Sequence, residues 1–112
     1  MKVYYDSGKL KDVCENPKLA KRKLGARTSA KLTLRLNELV SASALSDIPH
    51  TPPARLHQLS GERSEHFGVV VERGVRVVFR INQYPIPRRK DGSIDRKEVH
   101  EIVITHVGDY HD

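Results

Sequence analysis

A predicted β-hairpin in the second half of the chain constrains its fold more than any other feature. Two runs rich in β-branched residues, Phe67–Glu72 and Val75–Ile81, are separated only by Arg73–Gly74. A two-residue connection of this kind joins antiparallel strands in a tight turn. Because side chains alternate between the two faces of a strand, Arg76 and Arg80 share one face, about 13 Å apart. The hairpin therefore predicts an antiparallel sheet in which one face carries cations.

Three further strand-like runs extend this predicted sheet beyond the hairpin. They are Lys2–Tyr5, Arg55–Leu59 and Val99–Val107. The segment 82–98, which leads into the last run, is polar and unusually long for a connection. Such loops are often functional, mobile or both.

Helical periodicity dominates the first half of the chain. Leu10, Val13 and Cys14 have the spacing of a short helix. Asn16–Pro17 is typical of an N-cap followed by proline in the first turn, and Gly25 of a helix end. The pattern predicts two short helices before the main one.

The longest helical signal runs from about Thr28 to Leu45. Its predicted apolar face consists of Leu32, Leu36, Leu39 and Val40, and its opposite face carries Lys31, Arg35 and Glu38. The proline-rich segment 48–53 then breaks the helix and forms an extended link. The pattern therefore predicts one amphipathic helix between the short helices and the sheet.

Length and composition limit the class of protein. With 112 residues, the chain is expected to form a single domain over residues 1–112. Hydrophobic residues make up 38% and charged residues 30%, which favours a globular protein over a disordered or membrane one. No apolar run approaches the roughly 20 residues that span a bilayer, and no signal peptide is visible, so the cytoplasm is the expected compartment. The single cysteine, Cys14, excludes an internal disulfide and is expected to be a small buried residue.

Positive charge is concentrated in one part of the chain. The formal net charge is +6, and the segment from Pro17 to Leu36 contains no acidic residue. Its seven cations are Lys18, Lys21, Arg22, Lys23, Arg27, Lys31 and Arg35. Such a surface attracts phosphate polymers by releasing their counterions. A solvated helical face and a surface for an acidic protein segment are alternatives that the same run allows.

Two segments carry groups that can transfer protons. Asp109, Tyr110 and His111 place a carboxylate, a phenol and an imidazole in consecutive positions, directly after an apolar run. His57 lies between alternating leucines, and Arg63 follows six residues later. Both segments border predicted strands, so they can meet in one sheet.

Four stretches, in this order, resemble the HigB/RelE superfamily of toxins from bacterial type II toxin–antitoxin modules. They are Lys23–Gly25 with Ala30–Leu32 and Arg35–Leu36; Arg55–Gly61 with Arg63; Val75–Phe79; and Glu101–Val103 leading to Asp109–His111. The resemblance covers roughly residues 17 to 111 and is closest to the HigB-like branch, the plasmid-maintenance killer proteins. The chain departs from that branch at Ser60, where lysine is common, and in the long connection 82–98.

This resemblance implies an α+β protein with the RelE-like fold, in which N-terminal helices pack on a curved, mainly antiparallel sheet. It also implies a ribosome-dependent endoribonuclease that cuts messenger RNA and inhibits translation. RNA supplies the 2′-hydroxyl nucleophile, so the protein needs a base, an acid and cations, but no metal or cofactor. The expected products are a 2′,3′-cyclic phosphate and a 5′-hydroxyl.

The resemblance also assigns roles to individual residues. His57, Asp109, Tyr110 and His111 match the catalytic group of the family, and Arg76 matches its phosphate-contacting arginine. We expect His57 and His111 to transfer protons and Asp109 to orient an imidazole or act as the base. Tyr110 is expected to stack on a nucleobase or to position the scissile phosphate. Which group is the acid and which the base stays open.

The cation that is missing at Ser60 has two candidate replacements, Arg63 and Arg80. The basic residues 88–90 either contact ribosomal RNA or are solvated. A metal site is a weaker interpretation because two of its possible ligands are better explained as strand surface. The possible ligands are His100, His106, His111, Asp109 and Asp112, of which His100 and His106 are the surface pair.

A toxin of this kind implies a cognate antitoxin, expected to be a HigA-like helix-turn-helix protein. Messenger RNA and the ribosome are the other expected partners, and operator DNA is contacted only indirectly, through the antitoxin complex. Two other function classes stay open: a ParE-like toxin that poisons DNA gyrase by binding, and an inactive basic module that binds nucleic acid or the ribosome. Both would keep their biological effect after loss of His57 or His111.

Overall fold

Three helices and a five-stranded sheet make up the described part of the protein. The computed structural model describes residues 1–109, so the predictions for Tyr110, His111 and Asp112 lie outside the described residues. The helices are α1 (Gly8–Glu15), α2 (Pro17–Leu24) and α3 (Ala26–Ser41), and the strands are β1 (Lys2–Tyr5), β2 (His57–Gln58), β3 (His66–Glu72), β4 (Val75–Ile81) and β5 (Glu101–Asp109). Within residues 1–109, no helix combines the length and the apolar character that crossing a membrane requires. The predicted α+β class is confirmed.

The strands form one sheet in the order β1-β5-β4-β3-β2. All neighbouring strands are antiparallel except β1 and β5, which are parallel. Arg73 and Gly74 connect β3 to β4 with φ values of 44° and 85°. Positive φ at both positions is typical of the two-residue turn whose twist matches that of the strands. The predicted hairpin and the mainly antiparallel sheet are therefore confirmed.

The hydrophobic core lies between α3 and one face of the sheet. Phe67 and Phe79, on neighbouring strands, are fully buried and stack with ring centroids 6.0 Å apart. The leucines of α3 at positions 32, 36 and 39 are buried in the same cluster. The opposite side of the sheet is called the outer face below. By strand register it carries Tyr4, His57, His66, Gly68, Val70, Arg76, Val78, Arg80, Val103 and His106.

The main helix is shorter than predicted. It ends at Ser41 rather than Leu45 because the Asp47 carboxylate accepts hydrogen bonds from the backbone amides of Ser43 (2.9 Å) and Ala44 (3.3 Å). These hydrogen bonds hold the two amides in a turn. A helix that continued to Leu45 would need the same amides for its own backbone hydrogen bonds.

Two residues of α3 lie on the opposite side from the one predicted. Val40 is 56% exposed, and Arg35 is only 6% exposed. At about 100° per residue, Arg35 lies about 60° from Leu32 in one direction around the helix, and Val40 lies about 80° from Leu32 in the other direction. The buried stripe is shifted toward β3, where Arg35 Nε donates to the carbonyl of Val70 at 2.9 Å. The predictions for both residues were wrong, because periodicity does not say which edge of an apolar stripe meets the sheet.

Two strands also differ from their predicted bounds. β2 contains only His57–Gln58. It begins later than predicted because Arg55 has a φ of 51° and leaves the extended conformation that a strand requires. β5 begins at Glu101 rather than Val99 and continues to Asp109. The predicted catalytic carboxylate is therefore the last residue of a strand.

The long connection 82–98 is anchored to the fold at several points. The side-chain oxygen of Gln83 accepts hydrogen bonds from the backbone amides of His100 (2.6 Å) and Glu101 (3.1 Å). Ile94, in the last third of the connection, is buried in the core. The connection therefore adds a packed segment at one end of the sheet.

Cys14, expected to be buried, is partly buried and packs against the core. Burial, together with the neighbouring Glu15 carboxylate, raises the pKa of its thiol to about 12. The thiol is therefore protonated and poorly nucleophilic at neutral pH.

Candidate active site on the outer face

Strand register brings three of the predicted site residues to the outer face. His57 faces Gly68 on β3, and Gly68 faces Val78 on β4. These three residues form a row across the strands. Arg76 and Arg80 lie two residues to either side of Val78, so they flank this row. At about 4.8 Å between strands and about 3.4 Å per residue, each arginine Cα is about 12 Å from that of His57. A phosphate between them is within reach of these side chains.

The imidazole of His57 is oriented by a backbone carbonyl two residues earlier in the chain. Its Nδ1 lies 3.1 Å from the carbonyl oxygen of Arg55. A carbonyl only accepts hydrogen bonds, so Nδ1 carries the hydrogen and Nε2 of the neutral ring carries the lone pair. Arg55 holds its carbonyl there in a left-handed conformation, with a φ of 51°. Such strain costs a residue other than glycine about 1–3 kcal/mol and is concentrated at functional sites.

Gly68 provides the space that this imidazole occupies. A Cβ atom at position 68 would lie 3.3 Å from Cε1 and 3.6 Å from Nε2 of His57. The ring therefore packs directly over the backbone of β3. Sequence reasoning assigned no role to Gly68, although a glycine inside a β-branched strand is a known signal of close approach.

The two arginines of the outer face differ in their partners. Arg80 Nη1 donates to the hydroxyl of Tyr84 at 3.0 Å, and its Nη2 lies 4.0 Å from the Asp6 carboxylate. Arg76 Nη1 reaches the carbonyl of Val75, at 3.5 Å. No carboxylate among residues 1–109 forms an ion pair with Arg76. Its guanidinium therefore keeps donors for an anion.

Asp109 and Arg63 are positioned differently from these residues. Asp109 pairs with Val75, so the register places it on the core-facing side of the sheet, at the end of β5. Its Oδ1 would lie 3.5 Å from a Cβ at Gly74, in the β3–β4 turn. Arg63 is partly buried in a short 3-10 helix, Gly61–Arg63, between β2 and β3. The structure does not bring Asp109 together with His57.

Two further histidines of the outer face had no assigned role in catalysis. His66 faces Arg80, and its Nδ1 is buried without a hydrogen-bond partner. His106 faces Val78 from β5, and its Nε2 lies 3.0 Å from the carbonyl oxygen of Asp109. The register relates both histidines to β4, and sequence alone gives no register between strands. Within the described chain, no group of three His, Cys, Asp or Glu side chains is arranged to hold a metal ion.

The basic run of the first half divides into two parts with different surroundings. The four cations of α2, Lys18, Lys21, Arg22 and Lys23, are exposed. On α3, Arg27 and Lys31 each lie 3.1 Å from Glu72 Oε1, and the Thr28 hydroxyl donates to Oε2 at 2.6 Å. The bond from Thr28 and the two cations hold the pKa of Glu72 below its usual value of 4.5. The α3 part of the run therefore fastens the helix to β3.

The whole fold matches that of known toxins. Neither a family model nor a curated protein matches this sequence. A YoeB/ParE toxin from Agrobacterium tumefaciens superposes with a TM-score of 0.59 at 11% identity, over 99% of this chain and 100% of that chain. The YoeB-YefM complex from Staphylococcus aureus gives a TM-score of 0.57 at 10% identity, over 100% of this chain and 98% of that chain. The chain therefore has the fold of YoeB/ParE toxins, and the predicted RelE-like fold is confirmed.

Identities this low establish the fold alone. The HigB-like branch stays a prediction from the sequence stretches, and the activity has to be argued from the site.

Proposed function

We propose that this protein is the toxin of a type II toxin–antitoxin module and that it cleaves messenger RNA on the ribosome. The observation that supports this most directly is the alignment of His57 with Arg76 and Arg80 on one face of a RelE-like sheet. A second support is that the structural neighbours are themselves named as toxins or toxin complexes. The ribosome dependence and the HigB-like assignment rest on the sequence resemblance.

In the proposed reaction, His57 is the general base. Its Nε2 removes the proton of the 2′-hydroxyl, and the 2′-oxygen forms a bond to the adjacent phosphorus. The bond from phosphorus to the 5′-oxygen breaks, and that oxygen takes up a proton. The products are a 2′,3′-cyclic phosphate and a 5′-hydroxyl. His111 remains our candidate for the acid, with Tyr110 as a positioning group.

Charge stabilisation in this proposal comes from arginine. The pentavalent phosphorane carries more negative charge than the ground-state phosphodiester, so cations that are already in position lower its free energy. Arg76 has donors available, and Arg80 lies at the other side of the row. Arg63 is a further candidate, since Ser60 supplies no charge. No metal or cofactor is needed for the step.

A cognate antitoxin is part of the proposal. The YoeB-YefM neighbour is a complex, which supports a protein partner, and the HigA-like helix-turn-helix type rests on the resemblance. The exposed cations of α2 suit an acidic antitoxin segment. We infer that the protein acts in the cytoplasm, where the ribosome is found, and meets operator DNA only through the antitoxin.

The proposal is tested with ribosomes programmed with messenger RNA. The wild type is compared with His57→Ala and with His50→Ala, a matched control in which the exposed histidine lies in the link 48–53, outside the sheet. We expect translation-dependent cuts with 5′-hydroxyl ends from the wild type and the control. Cleavage by His57→Ala should be at least about 100-fold slower, the usual contribution of general base catalysis.

One result would reverse this assignment. If the wild type leaves programmed messenger RNA intact while growth inhibition persists in His57→Ala, the protein is a binding poison of the ParE type. The position of Asp109 on the core-facing side, apart from His57, is the observation that favours this second function. Gyrase-dependent DNA breaks in inhibited cells would then identify it.

A further inference from the structure

We infer that the outer face contains a nucleotide subsite beside His57, formed by His66, Arg80 and Tyr84. The inference rests on the proposed function and deepens it, because it names the part of the protein that holds the nucleotide next to the scissile phosphate. The subsite is a cavity of about 180 Å³ between the beginning of β3, the end of β4 and the first residues of the connection 82–98.

The position of the cavity relative to His57 follows from the strand register. His57 pairs with Gly68, and His66 is two residues away on the same strand and face. Diagonal neighbours of this kind have Cα atoms about 7–8 Å apart. Arg80 faces His66 from β4. An RNA strand that places one phosphate at His57 can therefore place its neighbouring nucleotide in the cavity.

Tyr84 provides a stacking surface at the mouth of this cavity. Its side chain is 73% exposed, which is unusual for so large a ring. Its hydroxyl accepts a hydrogen bond from Arg80 Nη1 at 3.0 Å, so the ring is held in place by its polar tip. A fixed, exposed aromatic ring stacks on a nucleobase with little loss of side-chain entropy.

The polar atoms of the cavity are mainly hydrogen-bond donors. The imidazole of His66 lines the cavity, and its buried Nδ1 has no hydrogen-bond partner among the described residues. Arg80 and the Tyr84 hydroxyl provide donors. The one carboxylate of the lining, Glu65, is already paired with Arg88 at 2.7 Å. A donor-rich lining suits the phosphate and carbonyl oxygens of a nucleotide.

Binding of a 2′-O-methyl hexaribonucleotide tests this subsite, because the probe lacks the nucleophile and cannot be cleaved. Affinity is measured by fluorescence anisotropy of the labelled probe. The variants are Tyr84→Ala, Tyr84→Phe and His66→Phe. The matched control is Tyr4→Ala, which removes a 45% exposed tyrosine from the far edge of the outer face. Circular dichroism verifies that each variant is folded.

We expect the Kd to rise about tenfold in Tyr84→Ala, the lower part of the range for one stacked base. His66→Phe should raise it about fivefold through loss of one hydrogen bond. Tyr84→Phe keeps the ring but loses the hydroxyl that holds it, so its Kd should rise less than that of Tyr84→Ala, whereas Tyr4→Ala should stay within about twofold of the wild type. Equal affinities of the wild type and Tyr84→Ala, or an equal loss in Tyr4→Ala, would overturn the inference.

Failure of the subsite and failure of the proposed function give different results. A wild type that binds the probe through Tyr84 but leaves programmed messenger RNA intact retains the subsite and rejects the ribonuclease. Cleavage by Tyr84→Ala with wild-type KM and wild-type probe affinity retains the ribonuclease and rejects the subsite.

Discussion

Two groups of cations in this protein have different surroundings, although the sequence makes both of them candidates for binding phosphate. On α3, Arg27 and Lys31 pair with Glu72, and Arg35 is buried with its Nε bonded to a backbone carbonyl. These three cations stabilise the packing of the helix on the sheet. They leave little positive charge for a ligand.

The cations of β4 have fewer carboxylate partners. Arg76 and Arg80 lie on the outer face, beside His57, and no carboxylate among residues 1–109 pairs with Arg76. The α3 part of the basic run is therefore engaged in the fold, whereas the two arginines that share strand parity on β4 face the candidate site. The difference lies in how close the fold brings a carboxylate: Arg27 and Lys31 lie 3.1 Å from Glu72, and Arg80 lies 4.0 Å from the exposed Asp6.

The largest expected effect separates the two groups by activity. Arg76→Ala should lower the rate of messenger RNA cleavage by about 100-fold or more, because in the proposed reaction this cation stabilises the developing phosphorane charge. Arg27→Ala, the matched change on α3, should leave the rate within about twofold. Single-turnover cleavage on programmed ribosomes measures both. Equal losses in the two variants would remove the distinction between the groups.

The second prediction separates them by stability. Arg35→Ala leaves the carbonyl of Val70 without its side-chain partner and removes a buried stem, so the free energy of unfolding should fall by about 2 kcal/mol. Arg35→Lys should recover less than half of this, because an ammonium lacks the planar fork that reaches Val70 and Glu38 together. Urea unfolding measures the change. A loss below about 0.5 kcal/mol would show that Arg35 behaves like a surface cation.

The smallest effect concerns pH. The pKa of Glu72 is lowered in the folded protein, first by the Thr28 hydroxyl and then by Lys31 and Arg27. Because the pKa of Glu72 is lower in the folded than in the unfolded protein, its carboxylate stabilises the fold at pH values above 4.5, the unfolded-state pKa. This contribution is lost as the pH falls through the folded-state pKa. Urea midpoints measured from pH 6 to pH 3 should therefore fall less steeply in Glu72→Gln than in the wild type. Identical slopes would contradict the role given to Glu72.

Local features of the fold were predictable because their causes lie within a few residues. Asn16 caps α2, its side-chain oxygen accepting from the amides of Lys18 and Leu19, as its position before Pro17 predicted. Gly25 ends that helix with a φ of 88°. The turn at residues 73–74 follows the same logic, since its conformation depends on the turn residues themselves.

Features that depend on distant partners were predicted poorly. The burial of Arg35 depends on the carbonyl of Val70 on β3, 35 residues away in the sequence. That partner cannot be recognised from periodicity, because periodicity reports one element at a time.

The candidate site shows the same division. From the sequence alone, His57, Arg76 and Arg80 were recognisable as chemically suitable groups, and strand parity already placed the two arginines on one face. Register between strands then decided which groups meet: it put His57 over Gly68, His66 opposite Arg80 and Asp109 on the other side of the sheet. Parity is a property of a single extended chain, whereas register and ion pairing arise only when separate segments pack together. For that reason the sequence determined which chemical groups this protein can offer, and the tertiary structure decided which of them lie together.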